Sequence, residues 1–181
     1  MTIKLRSMII DDLKKYEEMN HPDRLFHEFN GPYFKRESLK ELQDRIKRMY
    51  NVFNSGKPVK NHCKMIVDAS NDDLIGEVSW YWKSEETKWL EIGVVIFNET
   101  YWGRGIGYKA MSLWIDHVFT IFPDLVRIGL TTWSGNERMI KLSEKLGMRQ
   151  EACFRMARTY NGEYYDSVSY GILKSEWSMS R

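Results

Sequence analysis

The 181 residues predict a mixed α/β fold in a single domain, a mostly antiparallel mixed sheet of about seven strands flanked by about four helices. Two kinds of periodicity predict it. Short β-branched or alternating runs, which read as strands, are interleaved with longer stretches whose apolar residues recur every three to four positions, which read as helices. The third observation is composition: at 43% hydrophobic and 14% aromatic residues, the chain can bury a core of its own.

Ile3-Lys4-Leu5-Arg6 alternates and reads as a first strand. Asp11 or Asp12 can cap a helix running through Met19, which Asn20-His21-Pro22-Asp23 ends, because proline disfavours helix in the residue before it. Residues 23–36 have no clean period and are rich in aromatics (Phe26, Phe29, Tyr33, Phe34), as in a flap over a cleft or in plain core packing. Residues 37–50 form a charged helix with Leu39, Leu42, Ile46 and Met49 on one side, and 54–58 a loop. Residues 62–69 and 74–82 read as strands joined at Ser70-Asn71-Asp72-Asp73. In the second of them, Trp80, Tyr81 and Trp82 alternate, so only one face can line a cleft.

The chain is organised around 89–111. An apolar strand (Ile92-Gly93-Val94-Val95-Ile96-Phe97) is broken by Asn98-Glu99-Thr100 and followed by glycines at 103, 105 and 107. After these, Ala110, Met111, Leu113, Trp114, Val118 and Phe119 recur at helical spacing. Strand, glycine loop and helix start together make an anion cradle. Glycines let successive backbone N–H groups converge, and the first helical turn leaves its own unpaired. Arg104 adds charge at the rim. Two familiar phosphate loops fail on the letters. A P-loop needs Lys-Ser or Lys-Thr after its last glycine, where this chain has Tyr108-Lys109-Ala110. The dinucleotide fingerprint needs a glycine where Tyr108 stands.

Phe122-Pro123-Asp124 then stops the helix and 126–132 reads as a strand. Ser134-Gly135-Asn136-Glu137 has the Ser-x-x-Glu spacing of a capping box, opening a short helix to Leu146 that Gly147 terminates. Residues 149–160 and 164–173 close as a hairpin around Asn161-Gly162.

The loop Trp102-Gly103-Arg104-Gly105-Ile106-Gly107 resembles the Gln/Arg-x-x-Gly-x-Gly/Ala loop of the GNAT superfamily of acyl-CoA N-acyltransferases, although Trp102 stands where Gln or Arg is usual. The resemblance runs through Trp133-Ser-Gly-Asn-Glu-Arg, Glu144-Lys-Leu-Gly-Met and Asn161-Gly-Glu-Tyr-Tyr-Asp to Tyr170-Gly-Ile-Leu-Lys-Ser-Glu-Trp. These later segments look like the Rim-type branch, similar to ribosomal-protein N-terminal acetyltransferases. The resemblance implies a sheet splayed at its central strand and acetyl-CoA as cosubstrate, with no metal. By resemblance, Trp102, Gly103, Arg104, Gly105, Ile106, Gly107 and Tyr108 hold the diphosphate. Backbone groups of Val95, Ile96 and Phe97 meet the thioester and the pantetheine arm. Asn136 bonds that arm too, unless it is occupied at its helix terminus.

The chemistry sets further requirements. An alkylamine with a pKa of about 10 must lose a proton before attack, at a cost of roughly 4 kcal/mol at pH 7. A carboxylate can accept that proton. Glu91, in the central strand, is the leading base; Glu77, and then Glu163 and Asp166, are further candidates, each equally readable as a solvated residue. Where many relatives carry a tyrosine acid for the leaving thiolate, this chain has Ser143, which can relay a hydrogen bond or simply pack. A thiol pKa near about 8.5 lets the thiolate leave with little help.

A net charge of +2 argues against nucleic acid as a partner. No apolar run is long enough to span a bilayer, and the N-terminus does not read as a signal peptide, so a cytoplasmic protein without a membrane partner is expected. Arg45 to Arg48 and the basic letters at 57–60 read as solvated clusters. Cys63 and Cys153 read as reduced core residues, and the four histidines form no ligand pattern. The expected partner is an amine acceptor, either a small molecule or a protein N-terminus, and a homodimer is common in the family. A CoA-binding regulatory domain without turnover is the alternative.

Overall fold

A computed structural model describes residues 1–56 and 62–179; the expected loop letters 57–58 and the basic cluster 57–60 lie outside the described residues. The elements are β1 (Ile3–Arg6), α1 (Asp12–Met19), α2 (Leu39–Asn54), β2 (Cys63–Asp68), β3 (Leu74–Ser84), β4 (Trp89–Ile96), α3 (Ile106–Ile121), β5 (Arg127–Trp133), α4 (Glu137–Lys145), β6 (Arg149–Tyr160), β7 (Glu163–Leu173) and α5 (Lys174–Met179). The seven strands form one sheet in the order β1-β2-β3-β4-β5-β7-β6, antiparallel throughout except for β4 beside β5. The predicted class and element order are therefore observed.

Alternation along β4 divides the core. Leu90 and Ile92 face α3, packing with Met111, Trp114, Ile115 and Val118. Phe97 faces the other way, into a cluster with Leu13, Tyr16, Met19, Phe26 and Met65, against which Ile46, Met49 and Val95 pack. The sheet is thus the middle of three layers, with α1 and α2 on one face and α3 on the other. Trp114 ties α3 to the sheet by donating its indole N–H to the Ser79 carbonyl at 2.9 Å.

Two helix starts and one further helix differ most from the sequence reading. The Ser-x-x-Glu box forms at Ser38–Glu41, not at Ser134: Ser38 Oγ accepts from the Glu41 N–H, and the Glu41 carboxylate accepts from the Ser38 N–H, so α2 starts at Leu39. At the later copy Ser134 Oγ instead accepts from the Asp166 N–H at 3.0 Å, and α4 begins after Asn136, whose Oδ1 accepts from the Met139 N–H at 3.1 Å. A fifth helix, α5, follows β7, and its Trp177 donates to Asp116 Oδ1 at 2.8 Å. Six residues are too few to reveal a helical period. Cys153 is exposed rather than in the core.

The feature that shapes the site is where pairing stops. β4 and β5 pair only at Leu90–Ile128 and Glu91–Gly129, and then diverge. On its other edge β4 stays paired with β3 as far as Ile96, opposite Gly76.

Candidate active site

A cleft of about 380 Å³ opens beside the end of β4, beyond the point where it leaves β5. Its walls are Val94, Val95 and Ile96 of β4, the glycine loop with the first turn of α3, the α4 face carrying Arg138, Met139 and Leu142, and Phe26, Phe29 and Asn30 of the 23–36 segment.

Backbone parity decides which β4 amides face the gap. Phe97 donates its N–H to the Ile75 carbonyl at 3.0 Å, away from the gap, so Val95 also turns its backbone groups toward β3. Val94 and Ile96 point the opposite way, and the Ile96 carbonyl accepts from the Trp102 indole at 3.0 Å. Of the expected trio, Ile96 therefore turns its backbone groups toward the gap, as Val94 does, whereas those of Val95 and Phe97 face β3, the Phe97 amide is taken and its side chain is fully buried.

At the other end, Gly103 and Gly105 have φ of +73° and +75°, where a side chain is strained, although a Cβ at either position would meet no neighbouring atom within 4 Å. Gly105 is the N-cap of α3; no side chain caps the helix and its first turn carries no acidic residue. The amides of Ile106, Gly107 and Tyr108 thus open into the cleft, with the helix dipole behind them. Cations come from α4 rather than from the loop. Arg138, Lys141 and Lys145 line the cleft, whereas Arg104 is exposed and outside its lining.

The aromatic segment is both packing and cover. Phe26 is buried against Phe97, their ring centroids 5.6 Å apart. Phe29 stands edge-on to Trp102, and the Arg138 guanidinium lies over both rings at 4.7 and 4.5 Å. The Phe29 carbonyl receives two hydrogen bonds from the β5–α4 corner, from Trp133 Nε1 at 2.9 Å and Asn136 Nδ2 at 3.1 Å. Asn136 thus lines the cleft while capping α4 and anchoring the cover.

Glu91 lies outside the cleft lining, on the α1–α2 side of the sheet with Val95 and Phe97. It is only 2% exposed. Tyr81 donates to its Oε2 at 2.5 Å, Thr131 donates to Oε1 at 2.9 Å, and Lys83 Nζ lies 3.7 Å from Oε1. Of the three aromatics in β3, Tyr81 is on this face and half-exposed, while Trp80 and Trp82 pack against Phe122 on the other. Glu77 shares the Glu91 face opposite Val95, accepts from the Tyr16 hydroxyl at 2.9 Å, and is pushed above the usual carboxyl range by desolvation.

The other candidates are committed elsewhere. Ser143 is fully buried, donates its hydroxyl to the Met139 carbonyl one turn back at 2.8 Å, and does not line the cleft. Asp166 accepts from the Met156 N–H at 2.8 Å, stapling the irregular stretch of β6 where Met156 has φ +53°. Glu163 is exposed at the hairpin tip. Sequence alone gives no sign of Arg138 and offers Tyr81 only as one of three alternating aromatics and Phe29 only as one of four in a flap-or-core segment.

A family model described as "Acetyltransferase (GNAT) domain" matches residues 2–149. An uncharacterized N-acetyltransferase of Bacillus subtilis (YokL, prophage-derived) is 21% identical, over 98% of this chain and 93% of its own length. The spermidine N(1)-acetyltransferase of Escherichia coli K12 is 23% identical over 97% of this chain and 88% of its own. Among solved structures, a spermidine N-acetyltransferase of Vibrio cholerae in complex with CoA and spermine superposes with a TM-score of 0.75 at 22% identity, covering 97% of this chain and 98% of that one.

Proposed function

The chain belongs to the GNAT acetyltransferase family, and on that premise we propose that it moves an acetyl group from acetyl-CoA to a primary amine by direct attack of the amine on the thioester. The observation that carries this reading is the cleft itself. One continuous opening joins the outward amides of Val94 and Ile96 to the first-turn amides of α3, with α4 cations along its wall. That order suits a long ligand with a diphosphate at one end and an acyl carbonyl at the other. Arg138, Lys141 and Lys145 answer the phosphates, the α3 amides hold the diphosphate, and the Ile96 or Val94 amide meets the oxygen on which charge develops.

The amine enters from the α1–α2 face, where Glu91 serves as the base. Positions 91 and 94 are about 10 Å apart along a strand, a span that holds the acceptor nitrogen and a group passing its proton to the carboxylate. Attack forms the C–N bond and breaks the C–S bond, and CoA leaves as thiolate. Because the Ser143 proton is held by Met139, we give that residue a packing role and leave the thiolate without a protein acid. Relatives whose names specify spermidine make polyamines the first acceptors to try, ahead of peptide N-termini.

The test is release of free thiol from acetyl-CoA in the presence of spermidine, a serine-initiated peptide and free amino acids. Turnover with one of them, falling about 10²-fold or more in Glu91→Gln, is the expected result. Tight acetyl-CoA binding with no release from any amine would instead make this a CoA-binding regulatory domain.

A further inference from the structure

Glu91 cannot touch an acceptor directly. With 2% of its surface exposed and both oxygens bonded, it reaches the amine side of the sheet only through the groups that donate to it. Two hydroxyls do so. Thr131 leads across the sheet to β7, its Oγ1 lying 3.0 Å from Ser169 Oγ, and both residues are half-buried. Tyr81 leads outward: it is paired with Glu91 across β3–β4, is 50% exposed, and directs its phenol onto Oε2. Lys83 from the same strand and Tyr33 from the covering segment are the other titratable groups facing this pair.

We propose that Tyr81 is a catalytic residue that contacts the amine and relays its proton to Glu91. The acceptor ammonium gives a proton to Tyr81 Oη as the Tyr81 hydroxyl proton passes to Glu91 Oε2. The amine is left neutral with its lone pair, the phenol is regenerated, and Glu91 becomes the carboxylic acid. The proton returns to solvent by the reverse path after the acetylated product leaves. Desolvation, then the hydrogen bond and charge of Glu91, hold the Tyr81 phenol above its ordinary value. It therefore stays protonated at neutral pH, as a relay must and a base in its own right must not. This inference rests on Glu91 being the base, and the two can fail separately.

The experiment compares wild type, Tyr81→Phe, Glu91→Gln and the double variant in thiol release, using acetyl-CoA with the best amine among spermidine, a serine-initiated peptide and free amino acids, from about pH 6.5 to about pH 9.5. The relay predicts that Tyr81→Phe lowers kcat/KM about 10²-fold near pH 7, as Glu91→Gln does, with the KM for acetyl-CoA unchanged. The deficit shrinks toward the alkaline end, where free amine is supplied by the solvent, and the double variant is no worse than either single one. A second readout needs no turnover: in protein carrying ¹³C-labelled tyrosine, Glu91→Gln moves the Tyr81 titration to lower pH. Near-wild-type rates in Tyr81→Phe with a crippled Glu91→Gln overturn the relay and leave the base assignment standing. Full activity in Glu91→Gln, or no release with any amine, overturns both.

Discussion

At the scale of single residues, what a side chain can do is set by what already holds it. Ser143 occupies a position where a proton donor is expected, yet its hydroxyl bonds the Met139 carbonyl from a fully buried site. Ser143→Ala should therefore leave kcat within about two-fold and change stability by no more than about 1 kcal/mol, since one neutral hydrogen bond is lost from a helix that favours alanine. A large fall in kcat with normal acetyl-CoA binding would return Ser143 to the chemistry. Glu77 carries a different consequence. Desolvation raises its folded-state pKa above the unfolded value, so the native state binds the proton more tightly. The stability linked to that proton is present below the unfolded pKa and is lost as pH rises through the folded one. Glu77→Gln removes the penalty, so the melting temperature of the variant relative to wild type should climb as pH rises above the ordinary carboxylate range. A flat or falling difference would mean that the Tyr16 and Arg45 contacts outweigh burial.

At the scale of elements, the glycine loop and α4 do most of the positioning, and they are legible in the sequence to different degrees. Gly103 and Gly105 announce themselves by spacing, and both take the left-handed conformation that the spacing implies. Gly105→Ala should cost on the order of 1–2 kcal/mol in thermal or urea unfolding, because an L-residue is strained at φ +75°. It should also weaken acetyl-CoA binding by shifting the α3 amides; unaltered affinity would separate the loop from the ligand. The start of α4 differs from its sequence expectation for a reason that spacing cannot reveal. Ser38 and Ser134 carry the same Ser-x-x-Glu letters, but a backbone donor on β7, Asp166, captures the second serine. Gly135 follows because a Cβ there would come within 1.9 Å of the Trp133 ring. Asn136 then caps the helix and holds the Phe29 carbonyl, joining residues 107 positions apart.

Over the whole molecule, the sheet order and the splay convert local signals into one opening. The class, the run of strands and helices and the general place of the cleft follow from periodicity and from the strand–glycine–helix sequence, since these depend on neighbours close in the chain. Which amides of β4 face the gap depends on the parity fixed by Phe97 bonding Ile75. The cluster of Glu91, Tyr81 and Thr131 comes from three adjacent strands, one of them distant in sequence, and only the completed sheet brings it together. The central claim is that main-chain amides at both ends of this opening hold acetyl-CoA. The most direct measurement is a titration of ¹⁵N-labelled protein with acetyl-CoA, following individual amide resonances. The account predicts saturable shifts at Val94, Ile96, Ile106, Gly107 and Tyr108, while Phe97, already bonded across the sheet, moves little. Saturation with the shifts confined to another surface, or no shifts at all, would contradict it.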